Sequence, residues 1–395
     1  MKKVLALLLV LCMAFALCAC GKTAAPAPAA PAAPAAPAAP AASGSDAPAA
    51  PAAEEIEPLT LTYSTHVGTE AVSNILCQQL EEKVNEKLGG DYFTIDFYCS
   101  NTLGTGATML EDVRTGVTDI GDIMISSNVS VLPMCALYQT PGAAAFLSCQ
   151  SASLTFMDYI TQMQPEEIAD LKVLFIVATG PGSIVTQGFE PKGMADLKGR
   201  MIRSSATTAD SLTAWGATPV TLEWGECYEA MRNNLIEGIY TNAGAPAADN
   251  FDDVVDYQIY APWYNEAELF AMSQECFDNL PPIYQQVIEE AAAEVFEETA
   301  CCLQDITIFP FPMFERYFGN IKGIVFFSAE DIAAMTDAIS ATGATLKAQD
   351  LDAQGLPGTE ALALIRELAD KYNAIYDGAT YKEALKGFGG NVLEY

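Results

Sequence analysis

Two kinds of apolar repeat take turns along the chain from Leu59 onward. Alternation of apolar and polar positions predicts strands at Leu59–Tyr63, Phe93–Tyr98 and Met201–Arg203, and short strands are read at Thr218–Leu222 and Gln258–Tyr260, with a Gly238 turn and the segment Ile239–Asn242 between them. Further strands are read at Thr118–Ile125, Leu171–Ala178, Leu269–Ser273 and Ile324–Phe327. Between them, apolar residues three and four apart predict helices. The first runs over Glu70–Leu88 through Ala71, Ile75, Leu76, Leu80 and Val84 and stops at Gly89-Gly90. Others pass through Met109, Leu110 and Val113 to Gly116, and over Ser151–Met163, Ala209–Trp215, Glu226–Asn234, Ile283 to about Phe309, Ala329–Ala348 and Thr359–Tyr376. Strand, helix and strand at this spacing make parallel βαβ units, so the fold class is α/β. Thr179-Gly-Pro-Gly-Ser183 is a candidate hinge, its glycines free to take up backbone rotation.

The amino terminus follows another logic. Met1-Lys2-Lys3 is basic, Val4–Leu17 is apolar but too short to span a bilayer, and Leu17-Cys18-Ala19-Cys20 offers small residues for cleavage. Residues 1–19 therefore read as a signal peptide. The tetrad before Gly21 resembles a bacterial lipobox, which makes Cys20 the lipidated first residue of the mature chain; a plain signal peptide cut nearby is the alternative. Thr23–Ala53 is almost wholly Ala and Pro. Such a run adopts extended polyproline geometry at about 3.1 Å per residue, so residues 20–57 read as a lipidated Cys and a semi-rigid tether.

With 395 residues the chain is long enough for two lobes of ordinary size. It carries 51 Asp and Glu against 19 Lys and Arg, a formal charge of −32, which repels nucleic acid and anionic lipid headgroups. Positive charge this scarce makes any centrally placed Arg telling. The single His, His66, excludes a multi-His metal site and leaves a Ser/His/Asp unit only that one residue. No phosphate-binding Gly fingerprint follows any predicted strand, and no cofactor is expected. Acid pairs are abundant, but nothing selects one of them for hydrolytic work. Besides Cys20, eight cysteines remain after processing, without CxxC spacing, which disfavours zinc and redox motifs and leaves their disulfide state open.

Leu197–Asn242 gathers the candidate chemistry. Arg203 stands at the carboxyl end of a strand, the place where open α/β sheets bind ligands, and Ser204, Ser205 and Thr207 can cap the next helix. A guanidinium offers a planar fork of donors that matches a carboxylate and keeps its charge in a dry cleft. The competing reading is a solvated Arg paired with one of the many surface acids.

Asp196-Leu-Lys-Gly-Arg-Met-Ile-Arg203, Trp215-Gly-Ala-Thr-Pro-Val220, Trp224-Gly-Glu-Cys-Tyr-Glu-Ala-Met231 and Leu235-Ile-Glu-Gly238 together resemble the signature of TRAP-transporter solute-binding proteins. The resemblance runs from about Leu59 to Met335. It implies a type II periplasmic-binding-protein fold, two α/β lobes around a ligand cleft with long C-terminal helices. Lobe I is then 58–180 with a returning segment at about 265–305, and lobe II is 181–264 completed by about 306–395. It also implies that Arg203 binds a substrate carboxylate, with Asn242 helping to hold the ligand and Trp224 at the head of the aromatic-Gly-Glu helix. In the family the loops after the first three strands face the ligand, which makes His66, Thr102 and Ser126 or Ser127 candidate pocket residues. Trp263, in Pro262-Trp263-Tyr264, falls near the expected cleft edge, where aromatics wall an apolar ligand or pack between lobes. Many relatives carry a second Arg near Ser183; its absence here disfavours a dicarboxylate held by two arginines.

The expected protein is thus a monomeric, lipid-anchored extracytoplasmic receptor, not an enzyme. It captures a small organic anion and delivers it to TRAP permease subunits in the membrane. A binding protein reporting to a sensor kinase and, less favoured, a surface hydrolase on the same scaffold are the rival readings.

Overall fold

The computed structural model describes residues 56–69, 71, 73–179, 181–303, 312–340, 343–376 and 385–395. The expected signal peptide, Cys20 and the Ala/Pro run lie outside these residues. The chain enters with β1 (Leu59–Ser64), α1 (Asn74–Leu88) and β2 (Phe93–Tyr98), and β1 pairs in parallel with β2 from Leu59 opposite Phe93 to Ser64 opposite Tyr98. The stripe on α1 buries Leu76, Cys77, Leu80 and Val84. Gly89 then takes the left-handed conformation and returns its N–H to Asn85 and Glu86, which ends the helix. Next come α2 (Met109–Arg114), β3 (Ile120–Met124), α3 (Pro133–Gln139), α4 (Cys149–Met163) and β4 (Leu171–Ala178). Reciprocal hydrogen bonds between Ser148 and Ser151 fix the start of α4 two residues before the predicted one.

The second lobe begins with β5 (Gly182–Thr186), a strand hidden in the sequence by its leading Gly and Ser. It continues with β6 (Met201–Ser204), α5 (Ala209–Ala214), β7 (Thr218–Thr221), α6 (Cys227–Arg232), β8 (Gly238–Asn242), α7 (Ala245–Ala248) and β9 (Tyr257–Tyr260). The chain returns to the first lobe through β10 (Ala267–Ser273), α8 (Gln274–Asp278) and α9 (Pro282–Glu298). It goes back with α10 (Pro312–Asn320), β11 (Gly323–Phe326) and α11 (Ala329–Ser340), and ends in α12 (Ala344–Ala353), α13 (Gly358–Asn373) and β12 (Val392–Glu394).

Two sheets result, of order β2-β1-β3-β10-β4 and β12-β11-β9-β5-β8-β6-β7. In the first, β10 lies antiparallel between β3 and β4; in the second, β5 lies antiparallel between β8 and β9. The second sheet is covered on both faces, and its strands show why. Val185 and Ile239 join one apolar cluster while their neighbours Ile184 and Tyr240 join the other, as period-2 alternation requires.

Three elements differ from the sequence reading. Regular helix in α9 stops at Glu298, and the remainder of the predicted Ile283–Phe309 helix falls partly outside the described residues. The predicted Ala329–Ala348 helix is two helices, parted at Gly343. Met335 and Ile339 of α11 sit in the core of the second lobe, whereas Ala344, Ala348 and Leu351 of α12 sit in the core of the first. Residues 344–373 therefore pack with the first sheet, not with the second lobe to which 306–395 was assigned. Burying Leu362, Ile365 and Leu368 of α13 there stabilises by roughly 1.5–3 kcal/mol per side chain, enough to make the tail part of that core.

The chain passes between the lobes from β4 to β5, from β9 to β10, from α9 to α10, from α11 to α12 and from α13 to β12. The first two passages are tied together: Thr179 donates its N–H to the Glu266 carbonyl (2.8 Å), and Ala261 donates to the Gly182 carbonyl (2.9 Å). Gly182 serves close approach rather than rotation, because a Cβ there would lie 2.6 Å from the Ala261 carbonyl oxygen and 2.8 Å from that of Tyr264. Gly343 is similar, with the carbonyls of Pro141 and Ile339 at 2.5 and 2.6 Å from a built Cβ. Backbone cannot step aside as a side chain can. Gly343→Ala should therefore destabilise the protein by about 1–3 kcal/mol in urea or thermal unfolding, whereas Gly225→Ala, whose Cβ meets nothing within 4 Å, should cost under about 0.5 kcal/mol.

Candidate functional site

Between the two lobes lies a cavity of about 280 Å³. Of the residues singled out in the sequence, His66, Arg203, Trp224 and Asn242 line it; Thr102, Ser126, Ser127 and Trp263 do not.

Arg203 reaches the cavity from the end of β6, where it pairs with Val220 of β7 and Ile239 of β8. It is 8% exposed. Its Nε donates to the Leu222 carbonyl (2.9 Å), and its guanidinium carbon lies 5.7 Å from the centre of the Trp224 ring. No carboxylate stands within ion-pair distance of it among the described residues. The contrast with Arg200, at the other end of the strand, is direct: Arg200 donates to Glu237 at 2.6 Å and is half-exposed. The surface-paired reading considered for Arg203 fits Arg200 instead. Burying a guanidinium without an anion costs several kcal/mol, so the free side of the fork is chemically an anion site.

Around it the second lobe supplies fixed donors. Asn242 Oδ1 accepts the N–H groups of Gly244 and Ala245 at 3.0 and 2.8 Å, which orients the amide and leaves Nδ2 to donate elsewhere. Trp224 is pinned by stacking on Phe251 (5.2 Å, 3° between planes) and by its Nε1 donating to Asp249 (2.9 Å). Burial raises the Asp249 carboxyl above its ordinary range, against the Trp224 hydrogen bond and the charge of His66, which both lower it. Met313 and Phe314 of α10 add apolar surface.

The first lobe contributes His66, from the loop after β1, and an acid group that the sequence reading missed. His66 Nδ1 lies 3.4 Å from Asp122 of β3, whose Oδ2 also accepts from the Thr65 hydroxyl (2.8 Å). Burial alone would lower the imidazole, but the Asp122 carboxylate outweighs it and raises His66 to about 9. His66 is therefore a cation at neutral pH. Glu266 and Glu268, on the same side of the chain entering β10, also line the cavity. Glu266 accepts from Ser126 at 2.6 Å. Glu268 is held well above the usual carboxylate range, first by burial and then by the neighbouring Asp122.

The four absent candidates have other work. Thr102 donates to the Cys99 carbonyl (2.8 Å) within its own turn. Ser126 acts one step away, through Glu266, and the Ser127 hydroxyl points to Met124 Sδ (4.0 Å). Trp263 is buried in the second lobe, 5.3 Å from Trp215, and donates to Thr336 (2.9 Å). The missed acids carried a signal of their own, since Asp122 interrupts an apolar strand and acids rarely stand in such a place unless paired. The eight cysteines of the described residues are all free thiols.

Two α/β lobes, cross-tied by several passages of chain and closing a cavity with a buried, unpaired cation, define a cleft-type solute-binding protein. The profile of the bacterial extracellular solute-binding proteins of family 7 matches residues 63–301, more than half of the chain. The chain belongs to this family, the solute-binding proteins of TRAP transporters, whose members are extracytoplasmic binding proteins rather than enzymes. It is 24% identical to the uncharacterized protein YiiZ of Salmonella typhimurium over 229 residues, 56% of this chain and 69% of that one. It is 22% identical to the ectoine/5-hydroxyectoine-binding periplasmic protein UehA of Ruegeria pomeroyi over 248 residues, 61% and 71% of the two chains. Among solved structures, a TRAP solute-binding protein of Desulfovibrio salexigens superposes with a TM-score of 0.67 at 23% identity, covering 81% of this chain and 97% of the other. One of Rhodoferax ferrireducens, with copurified benzoate, superposes at 0.71 with 18% identity, covering 80% and 99%. At such identities the likeness shows the fold.

The His66–Asp122 pair makes stability depend on pH. The folded-state value of about 9 exceeds the unfolded one of about 6.5, so the pair's contribution is complete below about pH 6.5 and is lost as pH rises through about 9. The gap in melting temperature between the wild type and His66→Asn should accordingly be widest near pH 6 and close by about pH 9.5. Parallel melting curves across that range would contradict the assignment.

Proposed function

We propose that this protein is a lipid-anchored, monomeric receptor that captures a small organic carboxylate through Arg203 and hands it to a TRAP permease in the membrane. The observation that carries the reading is the buried guanidinium with a free face in an interlobe cavity. A carboxylate would meet the two terminal nitrogens of Arg203, with Asn242 Nδ2 as a further donor and Trp224 backing the cation. Solved relatives support an acid ligand in name: benzoate in one, β-D-galacturonate in another. By bridging donors of both lobes the ligand would favour the closed arrangement in proportion to its differential affinity for it. Cys20 is the proposed lipid attachment point. No helix among the described residues is long and apolar enough to cross a membrane.

A thermal-shift screen of aromatic and aliphatic acids, followed by calorimetry on the hits, tests the assignment. Arg203→Ala should weaken the best ligand by about 2–5 kcal/mol. Arg203→Lys should recover only part of the loss, since an ammonium cannot reproduce the planar fork. Undiminished affinity in Arg203→Ala would remove Arg203 from the site. For the anchor, metabolic labelling with palmitate should mark the wild type and not Cys20→Ser, which should appear in the soluble fraction.

A further inference from the structure

The cavity holds more acid than a simple organic anion explains. Asp249, Glu266 and Glu268 all line it, and Asp122 stands behind His66. His66 answers Asp122 at 3.4 Å, which leaves Arg203 as the one cation lining the cavity without a carboxylate partner among the described residues. A carboxylate on Arg203 uses that cation up. Three carboxyl groups then remain on the walls, and any further negative or merely apolar portion of the ligand must face them.

The acids are built into the frame rather than scattered. Glu266 lies where the chain crosses between lobes; its N–H donates to the Thr179 hydroxyl oxygen at 3.0 Å, and its Oε1 accepts from the Ser126 hydroxyl at 2.6 Å. Glu268 follows two residues on, so both side chains leave the same face of the strand. They belong to the first lobe and its edge, beside His66, and Arg203 and Asn242 to the second, where Asp249 is taken by Trp224; a ligand that spans the cavity from Arg203 therefore reaches Glu266 and Glu268 on the facing side.

We propose that the ligand is a zwitterion, with its carboxylate on Arg203 and a cationic nitrogen on Glu266 and Glu268. The inference rests on the carboxylate reading of Arg203 and adds the second half of the molecule. An amino acid or a betaine small enough for about 280 Å³ meets the description. Burial and the neighbouring Asp122 raise the Glu268 carboxyl above its ordinary range, and an arriving cation offsets the same crowding of negative charge.

Isosteric pairs that differ only in the charge on nitrogen test the idea on the full mature protein. Glycine betaine is matched by 3,3-dimethylbutanoate, and piperidine-2-carboxylate by cyclohexanecarboxylate. In calorimetry, at least one zwitterion should bind about tenfold or more tightly than its uncharged-nitrogen partner, which is about 1.4 kcal/mol. Glu266→Gln and Glu268→Gln should each remove most of that preference while leaving the partner's affinity unchanged or improved. Equal or better binding of the carbon isosteres, or no zwitterion binding in the panel, overturns the proposal. So does binding of an acid only when Ca²⁺ is added, because a metal would then be answering the carboxyls. Arg203→Ala separates the two layers of argument: if it leaves zwitterion affinity intact, the carboxylate reading fails. If it abolishes binding of both members of a pair that bind alike, only the zwitterion fails.

Discussion

One guanidinium without a carboxylate sets the terms for the rest of the molecule. In a chain whose charge is −32, Arg203 of β6 and Arg200 just before it illustrate the choice available to the fold. Arg200 takes a neighbouring acid and stays near solvent; Arg203 takes a carbonyl, an indole face and burial. Two like unit charges roughly 5 Å apart repel by about 3 kcal/mol at an effective permittivity of about 20, and opposite charges attract by as much. A charged group entering this cavity therefore meets interactions with its guanidinium and carboxyl groups that outweigh an apolar contact of similar size. Shape then acts within those limits, through Trp224, Met313 and Phe314.

The scaffold keeps that arrangement in register by making the lobes share chain. Close backbone contacts at Gly182 and Gly343 hold the crossing segments side by side, and Glu266 belongs to one of those crossings while also facing the cavity. A cation bound at Glu266 would therefore act on a residue that sits in one of the passages between the lobes.

Much of this was legible in the sequence, and the failures have definite causes. Strands with clean alternation and the α1 stripe declared themselves because one face of each is buried. Arg203 was legible because a charge at a strand's carboxyl end needs a reason. Strand β5 was not, since Gly182 and Ser183 read as hinge when the glycine is there for close approach. Gly343 sat inside a helical period and gave no sign that its two flanks belong to different cores. Glu268 was missed because the strand was begun two residues too late, at Leu269 instead of Ala267. Thr102, Ser126 and Ser127 lie in or beside loops that the family resemblance points to the ligand. Loop position does not decide where a hydroxyl turns, and each found a closer partner. Trp263 followed its apolar surface into a core.

The interleaving of the lobes bears on how the protein matures. The last strand, β12, completes the second sheet beside β11, and α12 and α13 complete the first lobe's core. Neither half is a continuous stretch of chain, so neither can finish folding while the carboxyl terminus is still being synthesised or drawn through a translocation channel. A polypeptide that must reach the far side of a membrane before it works is thereby kept loose for most of the journey. The cavity itself, lined by residues between His66 and Phe314, is framed by two sheets that later segments of chain complete.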